Sequence, residues 1–395
     1  MPNELRLQVK PNRRAFLGAM ARLAAAGCIL PAVFHAETGA EPSLPGKESL
    51  NSRILRLIHR PVSGVVVVGQ GNSIKAVMGI GKADPRDNND NAPETIFDIG
   101  SIAKLYTAAL VFKLVSAGDL ALDNTLGEFL PGLPTESADI TLRQCLNHSS
   151  GLPAYFSGGD FAKKSSGKAL RELRRMRLLA TPGTDWAYSN VGYGALALVI
   201  EAVTSNTFVD TMRSQVLDPN ELKSTGFFGE FPAHGNQIAS GFSDRKVFGS
   251  PRTWKIPQWG LLGGGGMAAS APDLFHFFRL LVQDKLADPA LHTDLLDRRI
   301  PMRGKSVNWR TVTDRECAAG LFSFRDASGR LVFHKGGSSD FGFYSTLIWR
   351  PDVDRTAIGL FNGGVRPGFA DDDVYDTKTM EHSTLYRRML SLLDG

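Results

Sequence analysis

The sequence predicts an α/β (α+β) fold: an antiparallel sheet flanked by helices, with a mainly helical region inserted into it. Strand-like stretches lie near both ends of the chain and a long helical stretch lies between them, so the early strands must join the late ones to be covered on both faces. A third observation marks the junction. From Ile102 to Val115 the chain is apolar on nearly every side, which a helix tolerates only when protein surrounds it.

The first 36 residues stand apart. Asn12-Arg13-Arg14-Ala15-Phe16-Leu17 precedes a moderately apolar stretch ending at Phe34-His35-Ala36, which reads as a twin-arginine export signal and predicts a periplasmic or secreted protein. An amphipathic terminal helix is the competing reading, supported by Arg22. Cys28 follows Ala25-Ala26-Gly27; without a branched apolar residue three positions before it, a lipid anchor there is the weaker expectation. Five basic residues and one Glu in this leader account for most of the net charge of +5. The remaining chain is nearly neutral, which removes the electrostatic case for a nucleic-acid partner.

Residues 37–47 read as a linker, residues 48–100 and 300–395 as the sheet-containing region, and 101–299 as the helical one. Ser49 to His59 is a predicted helix. Ser63–Gly69 and Ser73–Gly79 form a hairpin about Gln70-Gly71-Asn72, and no glycine cluster is followed by Gly-Lys-Ser/Thr, so nucleotide binding has no support. Gly118 caps the Ile102 helix, and the chain is expected to stay mainly helical to about residue 290. Within that span Thr141–His148 is a short helix, 166–179 a helix with Arg and Lys outward, and Gly194–Thr204 a buried one. Ser270-Ala-Pro-Asp273 reads as a capping box ahead of Leu274, Phe277, Phe278 and Leu281 at helical spacing. Strands follow at 320–324, 331–335, 342–349 and 356–361, and an amphipathic helix at 381–393. No segment outside the leader approaches the roughly 18 apolar residues of a spanning helix.

Lys104 is the anomaly in the apolar helix. A lysine three residues after a serine lies about one turn on, close enough to meet it, and burial disfavours its charged form, so it can take the Ser101 proton. The helix N-terminus favours negative charge developing at Ser101. Ser-x-x-Lys is a weak pattern by itself, and it recurs at Ser165 to Lys168 and Ser243 to Lys246. Only Ser101 opens a long apolar helix.

Two further segments carry polar groups suited to the same chemistry. Tyr188-Ser189-Asn190 leads into a buried helix; a phenol beside a lysine relays protons, and the Asn190 amide can hold Lys104 on one side and a substrate carbonyl on the other. A packed loop tyrosine is the plainer reading. His334-Lys335-Gly336-Gly337 ends a strand with a basic group and two glycines that admit a substrate backbone; a strand N–H here and that of Ser101 would form an oxyanion hole. A lone strand histidine is more often structural.

Together these segments, with Leu146-Asn-His-Ser-Ser-Gly-Leu-Pro153 and Gly264-Gly-Gly-Met-Ala-Ala-Ser270, resemble the β-lactamase-related serine hydrolases over residues 50 to 365. That family includes class C β-lactamases, D-alanyl-D-alanine peptidases and esterases of the same fold. The resemblance implies a β-lactamase/transpeptidase-like fold with Ser101 as nucleophile, Lys104 as its base, Tyr188 as acid and base partner, Asn190 as positioning amide and His334-Lys335-Gly336 as third motif. It also implies Gly337 as second oxyanion donor. The lactamase form has lysine where His334 stands, so esters, amides or D-amino-acid peptides are the expected substrates. β-Lactamase activity, or a penicillin-binding sensor that acylates without turnover, is the alternative. No Ser-Asp-Asn motif of the class A type occurs. No metal or cofactor is expected. Cys145 and Cys317 either pair or act as small apolar fillers. Nothing in the sequence sets the oligomeric state.

Overall fold

Eight strands form one antiparallel sheet in which the N-terminal hairpin pairs directly with the last strand. The computed structural model describes residues 48–57, 62–87, 89–159, 162–231, 237–243, 246–255, 257–283, 285–302, 315–326, 328–363 and 384–394; the expected leader and linker lie outside them. The described residues belong to one compact unit, Ser43–Gly395. After α1 (Leu50–Leu57) come β1 (Ser63–Gln70) and β2 (Ser73–Ile80); the C-terminal part supplies β6 (Ile300–Pro301), β7 (Glu316–Ala318), β8 (Leu321–Arg325), β9 (Leu331–Ser338), β10 (Tyr344–Arg350) and β11 (Arg355–Gly363). Their order across the sheet is β6-β7-β8-β9-β10-β11-β1-β2.

Both faces of this sheet are covered, which is why β1 reads as continuous Val-Val-Val-Val instead of alternating with polar residues. Val65 and Val67 face the main core, Val66 and Val68 a second cluster built with Ile54 of α1 and with Tyr386 and Met389 of the C-terminal helix α7 (Thr384–Ser391). Period-two alternation sorts the later strands the same way: Phe333, Leu347 and Leu360 face the main core, Val332, Ile348 and Phe361 the terminal helices. Arg279 fastens the inserted region to the sheet with a two-pronged ion pair to Asp354, whose carboxylate also accepts from Trp349 Nε1.

The helix predicted from Ile102 begins as a 3₁₀ turn at Gly100–Ile102 and continues as α2 (Ala103–Ala117), ended by Gly118 in the left-handed conformation at φ 81°. Gly100–Ala117 reaches the 18-residue length and mean hydropathy of 1.2 of a spanning helix, contrary to expectation, and 67% of it is buried inside the fold. α3 (Leu142–Leu146) is capped reciprocally by Thr141 and Gln144. α4 runs only from Ser166 to Leu173, shorter than the expected 166–179; Arg174 turns away to donate to Pro131 O. α5 (Asn190–Thr204) is buried along most of its length.

The inserted region is less purely helical than predicted. β3 (Ile96–Asp98), β4 (Thr225–Phe227) and β5 (Met267–Ser270) form a three-stranded sheet in the order β3-β5-β4, and Gly241–Ser243 pairs with Lys246–Gly249. Strands of three or four residues are too short to show a period, which hid them in the sequence. The Ser270 cap on α6 (Ala271–Val282) is one-sided: Ser270 accepts from Asp273 N, but the Asp273 carboxylate turns to Ser224 N and Thr225 Oγ1 and so ties the helix to β4.

Candidate active site

Three segments distant in sequence meet at Ser101. Its Oγ lies 3.2 Å from Lys104 Nζ and accepts a hydrogen bond from the Tyr188 hydroxyl at 2.7 Å. Lys104 is 0% exposed, whereas Ser101 is only half-buried, so the hydroxyl faces solvent and the amine lies beneath it. Lys104 Nζ donates at 2.6 Å to Asn190 Oδ1 and at 2.6 Å to Gly264 O. The Thr107 hydroxyl donates to Gly263 O, so the same helix that carries Lys104 holds the loop whose carbonyl receives it.

Tyr188 and Asn190 are fixed by the start of α5. Ser189 caps that helix by accepting from Gly192 N and donates its own hydroxyl to Pro153 O, while Asn190 N donates to Ala154 O. Cysteines 145 and 317 are buried and unpaired, and burial raises both thiols, Cys145 to about 12 and Cys317 to about 11. They therefore act as apolar fillers.

His334 does not join this group. Alternation along β9 turns it to the opposite face of the sheet, where its ring packs edge-on against Tyr386 at 5.0 Å and neither nitrogen has a hydrogen-bond partner. Burial, then Arg315 and Lys335, depress its pKa to about 3. Lys335 takes the inward place. Its amine is 0% exposed, has no hydrogen-bond partner, and lies 5.8 Å from the Tyr188 ring centre and 4.6 Å from that of Phe322. Burial lowers its pKa to about 8. The basic group of the third motif thus sits one residue later than the resemblance implied.

The N–H group set against the Ser101 turn is likewise one residue later than the expected Gly337. Ser339 N donates to Phe343 O and Asp326 N to Arg330 O, so odd residues of β9 direct their backbone groups toward β10 and even ones toward β8. The N–H of Gly337 is therefore spent within the sheet. β8 pairs with β9 only as far as Phe322 opposite His334, which leaves Gly336 and Ser338 with N–H groups on an open edge. That edge lies against the turn bearing Ser101. Gly100 sits at φ 48°, and a Cβ there would come 2.8 Å from Ser338 N; one on Gly337 would come 2.8 Å from Ser101 N. Sequence reasoning missed Ser338 and the Gly264 carbonyl, since a backbone group leaves no mark in residue type. The inward face of Lys335 was readable from its spacing to Phe333 and Gly337.

A family model described as Beta-lactamase matches residues 55–379. The chain belongs to the Beta-lactamase family. Curated members similar to it are a penicillin-binding protein of Bacillus subtilis (strain 168), 25% identical over 76% of this chain and 68% of that one, and a teichoic acid D-alanine hydrolase of Staphylococcus aureus. The latter is 26% identical over 59% of this chain and 58% of its own length. Among solved structures, a D-amino acid amidase from Ochrobactrum anthropi SV3 superposes with a TM-score of 0.71 at 21% identity, covering 88% of this chain and 99% of that one. These likenesses bear out the β-lactamase/transpeptidase-like fold and make the chain a serine hydrolase by family.

Proposed function

We propose that this Beta-lactamase family member hydrolyses small carboxylic esters or amides, D-amino-acid derivatives included, through an acyl-enzyme on Ser101. The observation that carries the reading is the Ser101 hydroxyl held between the Lys104 amine at 3.2 Å and the Tyr188 phenol at 2.7 Å. A neutral lysine has two N–H hydrogens and one lone pair. The Asn190 and Gly264 carbonyls take both hydrogens, and the lone pair is left for the serine proton.

Ser101 Oγ attacks the substrate carbonyl as its proton passes to Lys104. The oxygen that gains negative charge accepts from the N–H groups of Ser101 and Ser338. Tyr188 gives its proton to the departing alkoxide or amine as the carbonyl–heteroatom bond breaks. The phenolate then removes a proton from water, which attacks the ester; as the carbonyl–Oγ bond breaks, Lys104 returns its proton to Ser101 Oγ, and the acid leaves with both residues restored. Support for D-amino-acid substrates comes from the names of the Staphylococcus aureus hydrolase and the Ochrobactrum amidase.

Lys335 favours a second reading. A buried, unpartnered amine beside Tyr188 suits a substrate carboxylate of the kind β-lactams carry, so nitrocefin belongs in the same trial. Purified protein and its Ser101→Ala, Ser165→Ala and Ser243→Ala variants should be compared on p-nitrophenyl esters, D-alanyl peptides and nitrocefin. Loss confined to Ser101→Ala supports the reading, and equal turnover by all four ends it. Label by fluorescent penicillin without turnover of any substrate would make the protein a sensor. Export through Arg13-Arg14 is part of the proposal: Arg13→Lys/Arg14→Lys should retain the protein in the cytoplasm, and unchanged export would refute that part.

A further inference from the structure

His148 lies outside the chemical steps above, yet it contacts the Tyr188 ring and the residues on either side of it. Its carbonyl accepts from Ala187 N at 2.8 Å and its Nδ1 accepts from Ser189 N at 3.1 Å, so it clamps the backbone on each side of the tyrosine. Its ring lies 4.4 Å from the Tyr188 ring, inclined by 32°, with Trp186 and Tyr193 closing two more sides at 5.9 and 5.1 Å. It is 0% exposed. A backbone φ of 57°, uncommon for a residue other than glycine, turns the chain so that ring and carbonyl can both reach the same loop segment, Ala187 to Ser189.

Resting on the assignment of Tyr188 as proton carrier, the geometry points to His148 as the positioning residue that sets the Tyr188 phenol over Ser101. Three consequences follow from the placement. Nδ1 is the acceptor for Ser189 N, which puts the ring hydrogen on Nε2. Burial, with Lys335 and Lys104 nearby, lowers the pKa of the ring well below its usual value, so the acceptor is present whenever the protein works near neutral pH. The groups that face this ring among the described residues are the Tyr188, Tyr193, Trp186 and Phe322 rings and the Lys104 and Lys335 amines. A displacement of the phenol by about 1 Å would already cost a large part of the rate.

The strained backbone complicates an alanine variant, so His148→Gly removes the ring without a left-handed penalty and His148→Asn keeps both an acceptor oxygen and a tolerated conformation. Turnover of a p-nitrophenyl ester should be measured for each in wild-type and Tyr188→Phe backgrounds, with melting temperature as a check on folding. His148→Gly should lower kcat about 10²-fold with KM within about twofold, and His148→Asn should recover about tenfold of that loss. In the Tyr188→Phe background His148→Gly should cost almost nothing further, because the group it positions is gone. Equal losses in both backgrounds, wild-type kcat in His148→Gly, or no recovery by Asn would overturn the assignment. A Tyr188→Phe variant as active as wild type would overturn the Tyr188 reading and the positioning role together, a result distinguishable from failure of the His148 assignment alone.

Discussion

The Lys104 amine stands 3.2 Å from the Ser101 hydroxyl with no access to solvent, and it reaches that place from one turn further along the same helix. A polar group this deep is tolerated because the Asn190 and Gly264 carbonyls satisfy it.

Lys335 is the unsatisfied case. Its pKa is lowered from 10.5 to about 8, so below pH 8 the folded protein must hold a buried charge that the unfolded chain keeps in water. Lys335→Met should therefore raise stability at pH 7 by about 1–3 kcal/mol. Between pH 8 and 10.5 the unfolded chain binds more protons, wild-type stability rises with pH, and the gain should fade. Urea titrations at pH 7 and 9.5 test this, and a destabilised variant at pH 7 would contradict it. Activity should fall in the same variant if the amine serves the site.

His334 gives a test of the same sign in a lower pH window, with no expected effect on catalysis. With a folded pKa near 3 against 6.5 in the unfolded chain, it subtracts stability as pH falls through 6.5. His334→Leu should flatten the loss of stability between pH 7 and 4.5 and leave kcat within about twofold. A large fall in kcat would return His334 to the site.

Crowding predicts a steric effect at Gly337. A methyl group there would come 2.3 Å from Ile99 O and 2.8 Å from Ser101 N, forcing the serine turn away from β9. Gly337→Ala should lower kcat by about 10²-fold and stability by about 1–3 kcal/mol, read by ester turnover and denaturant titration. A variant at wild-type activity would show that the turn has room to move.

Much of the fold was legible in the sequence because its elements are long and strongly patterned. The four-valine strand β1, the apolar helix around Lys104 and the late run of strands each bury enough residues to set a period. The small sheet of β3, β4 and β5 was hidden by its length, and the end of α4 by a run of arginines that suits helix and turn alike. At the site, Ser101, Lys104, Tyr188 and Asn190 could be found because each is a distinctive side chain. His334 has the residue type of a site group but the wrong strand parity, whereas Phe333, Lys335 and Gly337 share the face that meets Ser101. Which backbone N–H faces Ser101 is set by register, not residue type, so the place of Ser338 has no signature of its own in the sequence.

The most direct measurement is intact-mass and peptide mapping of protein quenched during turnover of a p-nitrophenyl ester, using Tyr188→Phe to slow release. The account predicts one acyl group per chain, on the peptide containing Ser101, absent from Ser101→Ala. Turnover with no adduct, or an adduct on another residue that survives Ser101→Ala, would contradict it.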